Sequence, residues 1–385
     1  MQYRVNPKNG DRISALGYGG MRFHKDEQEV ERHIRYAIEQ GVNYFDTAYI
    51  YSGSEAMLGR ILSKDGLRDR IKLATKLPLH LVRRQADFDR LFTTQLERLQ
   101  TDRVDYYLMH MLPGPASWRR LTELGIIEWI AEKKRQGRIV NIGFSFHGTK
   151  EDFCALLELY DWDFCMIQYN YLDEHNQAGK DGLLYAASKG IPVVVMEPLR
   201  GGTLVNKLPP EAKAVWDGAP AKRSYAEWGL RWVLNHPQVL CLLSGMGAMD
   251  MVEENVRTVS DSFPNTLSDA ELSLYSAALA KIREATNVAC TGCGYCTPCP
   301  KGVDIPACFS SLNDVAVKGL FQSMYWYTVT AGKHAASRCA QCGQCEKHCP
   351  QAIPIRQKLQ QVQNELERFP YGIVRFVLSR VLRLG

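Results

Sequence analysis

No apolar run in this 385-residue sequence reaches the roughly 18 residues that a membrane-crossing helix needs, so a spanning segment is not expected. Charge of one sign is also missing. Lys and Arg number 47 against 42 Asp and Glu, a net charge of +5, and the basic residues are scattered rather than clustered. Nucleic acid is therefore not an expected partner. No apolar leader follows Met1, only the polar stretch "QYRVNPKNGDRIS"; the expected compartment is cytoplasmic, where thiols stay reduced. No G-x-G-x-x-G fingerprint opens a helix after a strand, which disfavours a doubly wound dinucleotide fold. What remains, 45% hydrophobic and 23% charged, is the make-up of a globular chain.

Eight short apolar runs recur between residues 13 and 245: 13–20, 43–48, 71–76, 104–110, 139–145, 164–170, 191–197 and 239–245. Each is near-continuously apolar, as a parallel strand covered on both faces should be. Helical patterns lie between them. "DEQEVERHIRYAIEQG" (26–41) sets Val30, Ile34, Ala37 and Ile38 on one face, with acids in its first turn and Gly41 at its end. Eight strand–helix units in about 250 residues predict an α/β fold of the (β/α)₈ TIM-barrel type. After residue 265 the rhythm changes to helices and cysteines, including an amphipathic helix over 266–285 opened by Thr266 or Ser268. The predicted division is a barrel over 1–270 and a small, mainly helical domain over 271–385.

Barrels of this type carry their chemistry at the C-terminal ends of the strands. There the sequence places Asp46 and, five residues on, Tyr51; Lys76 ends the third run and His110 the fourth. Such a set suits carbonyl reduction. A phenol can protonate the developing alkoxide, but its ordinary pKa near 10 makes it a slow donor. An ammonium beside it lowers that pKa. Tyr51 is thus the expected acid/base, Lys76 its tuner, Asp46 the group that orients Lys76, and His110 a donor to the carbonyl oxygen. His147, His175 and Arg22 are read as loop residues.

With "GVNYFDTAYIYSGSE", the Lys and the His in this order and spacing, the segment 1–265 resembles the aldo/keto reductase family. The resemblance implies NADP or NAD bound without a glycine fingerprint. It places Ser145 and Gln168 at the nicotinamide amide, "EPLRGG" (Glu197, Pro198, Leu199, Gly201) at the pyrophosphate, and Ser244, Glu254 and Asn255 towards the adenosine. Met196 stands where many relatives stack a Tyr on the nicotinamide. "SGMGAMDM" (244–251) lacks the Lys or Arg that holds a 2′-phosphate in NADPH-specific relatives, with Arg257 further on. The implied substrate is a small carbonyl or alcohol.

Cysteine is plentiful instead. Eight of the 12 lie in two runs, "CTGCGYCTPC" (Cys290, Cys293, Cys296, Cys299) and "CAQCGQCEKHC" (Cys339, Cys342, Cys345, Cys349). C-x₂-C-x₂-C with a later Cys-Pro is the spacing of a [4Fe–4S] site, against zinc or disulfides. The runs resemble bacterial two-cluster ferredoxins, in which the Cys before Pro serves the other run's cluster. The resemblance implies one cluster on Cys290, Cys293, Cys296 and Cys349, and a second on Cys339, Cys342, Cys345 and Cys299. Cys299 departs from the ferredoxin spacing, and Cys308 is a spare ligand. Cys154, Cys165 and Cys241 read as apolar core.

Hydride chemistry moves two electrons and a cubane moves one. The clusters then clamp their domain, sense redox state, or wire the barrel to a redox partner protein, with a flavin in the barrel mouth or on that partner as mediator. A non-catalytic electron carrier or redox sensor using the barrel as scaffold is the alternative reading. The end of the chain, "FPYGIVRFVLSRVLRLG", reads as a basic amphipathic helix. It would dock on protein or, as the less expected outcome, touch a membrane surface.

Overall fold

The structure, a computed structural model, describes residues 1–375. It opens with a hairpin that the sequence reading lacks: β1 (Tyr3–Val5) pairs antiparallel with β2 (Arg12–Ser14), Arg4 opposite Ile13. The first apolar run therefore divides at Ala15, and only its second part, β3 (Leu16–Gly19), enters the barrel. The other barrel strands are β4 (Tyr44–Asp46), β5 (Lys72–Pro78), β6 (Val104–His110), β7 (Ile139–Phe146), β8 (Phe164–Gln168), β9 (Val193–Met196) and β10 (Val239–Ser244). They close in the order β10-β3-β4-β5-β6-β7-β8-β9, all parallel. This is the expected (β/α)₈ barrel.

The barrel interior is packed rather than hollow. Tyr44, Tyr106, Leu108, Phe164, Met166, Val194 and Cys241 form one buried cluster, and the Tyr106 ring meets Tyr44 and Phe164 edge-on at 5.2 and 4.9 Å. Cys241 in this cluster and Cys165, buried on the opposite face of β8, have thiols pushed far above their ordinary pKa by burial, as inert apolar residues should be. Outside, the helix Glu27–Glu39 starts at Asp26, whose side chain accepts from the Gln28 N–H. Its Val30, Ile34, Ala37 and Ile38 are buried, the face the periodicity marked.

Packing divides the chain into a barrel unit, Met1–Leu199 with Ala226–Leu267, and a second unit, Arg200–Tyr225 with Ser268 onward. The segment 200–225, placed with the barrel from sequence, packs in the second unit, where Trp216 meets Tyr275 edge-on at 4.9 Å. Tyr275 belongs to the helix Asp269–Ala285, which Ser268 and Glu271 open with a reciprocal capping box. Further on, the helical stretch read over 315–332 is two elements. Helices Ile305–Lys318 and Leu320–Thr330 break at Gly319, whose φ of 77° favours glycine. The helix read over 350–369 is confined to Ile355–Leu366 behind Pro354. Cys308, Phe309, Leu312, Tyr327, Leu359 and Val362 form this unit's core. Most of the basic tail, residues 376–385, lies outside the described residues. No described helix is long and apolar enough to cross a membrane.

Candidate active site and cysteine centre

The strand ends deliver their polar groups to one rim. Asp46 is the last residue of β4 and His110 the last of β6. Lys76 lies two residues before the end of β5, which runs on to Pro78 and pairs it with His110. The Lys76 Nζ donates to Asp46 Oδ2 at 2.6 Å and to the Thr47 carbonyl at 2.8 Å. It also stands over the Tyr51 ring, 5.0 Å from the centroid. The His110 ring meets the Tyr51 ring edge-on at 5.9 Å. All four residues are thus brought together, with Lys76 1% and Asp46 4% exposed.

Burial governs the charges. It pushes Asp46 up and Lys76 down from their ordinary pKa values, while their mutual contact acts in the opposite sense on both. His110 is held well below 6.5 by burial and by the Lys76 charge, so it is neutral. The expected lowering of the Tyr51 pKa is reversed. Burial, then the Asp46 and Glu197 charges, raise it well above the ordinary phenol value, opposed by Arg22. The physical reason is geometric: the Lys76 ammonium faces the ring and spends its hydrogen bonds on Asp46 and Thr47. Tyr51 is therefore a fully protonated phenol.

Behind Lys76 runs a buried polar network. Glu55 Oε1 accepts from Thr75 Oγ1 and Gln95 Nε2, both at 2.7 Å, and Glu55 Oε2 from Arg98 at 3.2 Å. Gln95 Nε2 also donates to the Lys76 carbonyl at 3.0 Å, and the Tyr107 hydroxyl to Gln95 Oε1 at 2.7 Å. The signal for it was a polar Gln95 within the apolar stripe Phe88, Leu91, Phe92, Leu99 of its helix. Such a satisfied network fixes the strand that carries Lys76.

Most residues expected to hold a nucleotide belong to the barrel unit; Gly201 packs with the second unit. The Ser145 hydroxyl is 2% exposed, accepts from the Met111 N–H at 2.8 Å and donates to nothing among the described residues. That unspent buried donor fits an amide acceptor. Gln168 is held between Asp173 (2.8 Å) and Gln177 (3.0 Å), and Gln177 reaches His147 Nδ1 at 3.1 Å. His147, read as a loop residue, thus ends a relay from Asp173. Asn255 donates to Ser244 at 2.9 Å, both buried. Met196 and Glu197 lie at the end of β9 and just past it, Glu197 with a φ of 56°. Glu254 and the exposed Arg257 are on the helix Met249–Ser260.

In the second unit, Cys290, Cys293, Cys296 and Cys349 line one cavity with Thr291, Ile305, Phe309 and Ile353, about 320 Å³ with its open mouth included. The two cysteine runs share a backbone. The N–H two residues after the first Cys, Gly292 and Gln341, donates to Cys290 and Cys339 Sγ, each at 3.4 Å. Left-handed conformations recur in register, at Gly292 and Gln341 and then at Gly294 and Gly343. Arg356 is paired with Glu346 at 2.9 Å, which raises its pKa; Cys339, Cys345 and Cys299 pack on the same core, and Cys342 is exposed. Cys308 is fully buried, its thiol pushed up to about 12 by burial, and does not line the cavity. Among the described residues no three His, Cys, Asp or Glu side chains converge tightly enough for a single metal ion. A four-thiol cavity of this kind fits a cubane better than tetrahedral zinc, whose Zn–S bonds are about 2.3 Å.

Residues 15–274 match the model of the aldo/keto reductase family, and residues 289–353 that of a 4Fe-4S dicluster domain. L-galactose dehydrogenase of Arabidopsis thaliana is 26% identical over 312 residues, 74% of this chain and 97% of the plant protein. The uncharacterized oxidoreductase YrpG of Bacillus subtilis is 28% identical over 236 residues, 54% of this chain and 69% of its own. Among solved structures, the holo form of aldo-keto reductase AKR11C1 from Bacillus halodurans superposes with a TM-score of 0.61 at 26% identity, covering 72% of this chain and 96% of its own. An aldo-keto reductase from Klebsiella pneumoniae in complex with NADPH gives 0.59 at 26% identity, covering 72% and 95%.

Proposed function

The chain belongs to the aldo/keto reductase family and carries a 4Fe-4S domain, and on that premise we propose that it reduces a small carbonyl compound with NADPH and holds two [4Fe–4S] clusters. The observation that carries the first part is the buried Lys76–Asp46 pair beside Tyr51 and His110. When bound, NADPH would supply the hydride that a carbonyl carbon accepts. Within the barrel unit, Ser145, Gln168, Met196, Glu197, Pro198, Leu199, Ser244, Glu254 and Asn255 would hold it.

Tyr51 gives its hydroxyl proton to the carbonyl oxygen. A phenol of raised pKa still donates downhill, because an alkoxide is about as basic as hydroxide, whose parent water has a pKa near 15.7. Neutral His110 donates an N–H to the same oxygen and fixes its position. Lys76, held by Asp46 and the Thr47 carbonyl, packs on the Tyr51 ring and fixes its place beside His110. With His110 held well below 6.5, His147 pulled down to about 4 by burial, and Tyr51 raised, neither histidine nor the phenol titrates near neutrality. The kcat for reduction is expected to stay flat from pH 6 to 9; a break near 6.5 in the profile would show a charged, titrating histidine instead.

In the second unit, Cys290, Cys293, Cys296 and Cys349 hold one cluster, and Cys339, Cys342, Cys345 and Cys299 the other. Each supplies a one-electron store. The exposed Cys342 suits exchange with a redox partner protein. Anaerobically purified protein is expected to contain about eight iron atoms per chain, two cubanes' worth. Cys349→Ser should lose about half of that iron, and Cys308→Ser should keep it all. Iron loss in Cys308→Ser, or full iron in Cys349→Ser, would sink the assignment.

A further inference from the structure

Arg98, on the helix Ala86–Leu99, reaches out of its own element to the loop that carries Tyr51. Its guanidinium lies over the Tyr49 ring, 4.4 Å from the centroid, and donates to the Tyr49 carbonyl at 3.4 Å and to Glu55 Oε2 at 3.2 Å. Tyr49 stands two residues before Tyr51. The chain around them is tied tightly. The Tyr51 N–H donates to the Ala48 carbonyl and the Ser54 N–H to the Tyr51 carbonyl, both at 3.0 Å, and the Thr47 and Ser54 hydroxyls meet at 2.7 Å. A loop closed this way shifts as a unit, so a grip on Tyr49 is a grip on Tyr51.

The base from which Arg98 reaches is fixed. A side chain on Gly59 would run into the Arg98 carbonyl and the Leu99 backbone, so the helices Ser54–Leu62 and Ala86–Leu99 touch backbone to backbone there. Glu55, 2% exposed, lies in the first turn of the former. Its other oxygen accepts from Thr75 and Gln95, and Gln95 also donates to the Lys76 carbonyl. One buried carboxylate is thus shared between the strand that holds Lys76 and the arginine that holds the Tyr51 loop. A planar guanidinium stacks on a ring and donates along its fork at once, which an ammonium does not reproduce.

We propose that Arg98, through its planar guanidinium, is a positioning residue for Tyr51, and that by way of Glu55 and Gln95 it keeps Tyr51 and Lys76 in register with each other. The inference rests on the reading of Tyr51 as proton donor to a carbonyl. Misplacing a reacting group by about 1 Å costs on the order of 10²-fold in rate.

The test is single-turnover reduction of a small aldehyde, beside an NADPH titration, for the wild type, Arg98→Met, Tyr51→Phe and the double variant. Arg98→Met is expected to slow reduction at least tenfold and to leave NADPH affinity within twofold. In the Tyr51→Phe background the same substitution should cost less than threefold, because no phenol proton remains to be misplaced. Damage to the fold alone would lower the rate by one factor in both backgrounds, and that equality would overturn the proposal; so would Arg98→Met within twofold of the wild type. Arg98→Lys keeps a cation for Glu55 without the plane and should be as slow as Arg98→Met; the wild-type rate in it would show that charge suffices and refute the positioning role. Should Arg98→Met fail to fold, Arg98→Lys in the two Tyr51 backgrounds decides by the same criterion. No reduction by the wild type, or equal rates for the wild type and Tyr51→Phe, would remove the proton-donor reading and this inference with it, whereas a slow Tyr51→Phe with an unimpaired Arg98→Met removes this inference alone.

Discussion

Tyr51→Phe is expected to lower kcat by about 10²- to 10⁴-fold, the usual worth of a positioned general acid. The substitution removes one oxygen and little else. The ring that meets His110 edge-on at 5.9 Å and lies under the Lys76 ammonium at 5.0 Å remains in place. The fold should be undisturbed, and the affinity for NADPH should not change, because Tyr51 is not among the residues assigned to the nucleotide. The discriminating comparison is single-turnover reduction beside an NADPH titration for the two proteins. A Phe variant within threefold of the wild-type rate would remove Tyr51 from the proton step and leave another donor to be found.

Lys76→Met should cost about 3–5 kcal/mol of barrel stability, because breaking a buried ion pair strands the remaining charge. Asp46 is 4% exposed, and its Oδ1 has no hydrogen-bond partner in the described residues. Without Lys76 the carboxylate would lose its 2.6 Å contact and the Thr47 carbonyl its 2.8 Å donor. The asymmetry of buried pairs gives a second expectation. Lys76→Met with Asp46→Leu removes both charges and should recover much of the lost stability, while activity stays lost. Urea midpoints for the single and double variants, followed by circular dichroism, test this. A single variant as stable as the wild type would mean that the pair adds nothing to the fold. Recovery of turnover in the double variant would mean that it adds nothing to the chemistry.

The barrel was legible because parallel strands buried on both faces leave continuous apolar runs, and all eight runs became strands. The hairpin β1–β2 was not. Its strands are three residues long, and Tyr3, Arg4, Val5 and Arg12 carry no uniform apolar signal. The break at Gly319 was hidden by apolar residues on both sides, which read as one helix until the left-handed backbone separates them. The packing of 200–225 with the second unit depends on Trp216 meeting Tyr275, a contact between residues far apart in sequence. At the candidate site, strand-end positions located Asp46, Tyr51, Lys76 and His110, but not the sign of the shift at Tyr51. Whether Lys76 lowers that pKa depends on where its ammonium points and on how much water the ring loses. Neither is written in residue order. The Glu55–Gln95 network escaped for a related reason: its members come from different elements and meet only in the closed barrel. Shared cysteine spacing made the two runs comparable, and their matching N–H···S bonds follow from equivalent left-handed turns.

The central claim is hydride transfer to a carbonyl in the barrel, completed by Tyr51. Its most direct measurement uses NADPH carrying deuterium at the transferable position, incubated anaerobically with the whole protein and a panel of small aldehydes and ketones, with mass spectrometry of the alcohols formed. Deuterium on the carbinol carbon, formed at least a hundredfold more slowly by Tyr51→Phe, is the predicted result. Alcohol formed without deuterium, or deuterated alcohol formed at equal rates by both proteins, would contradict it.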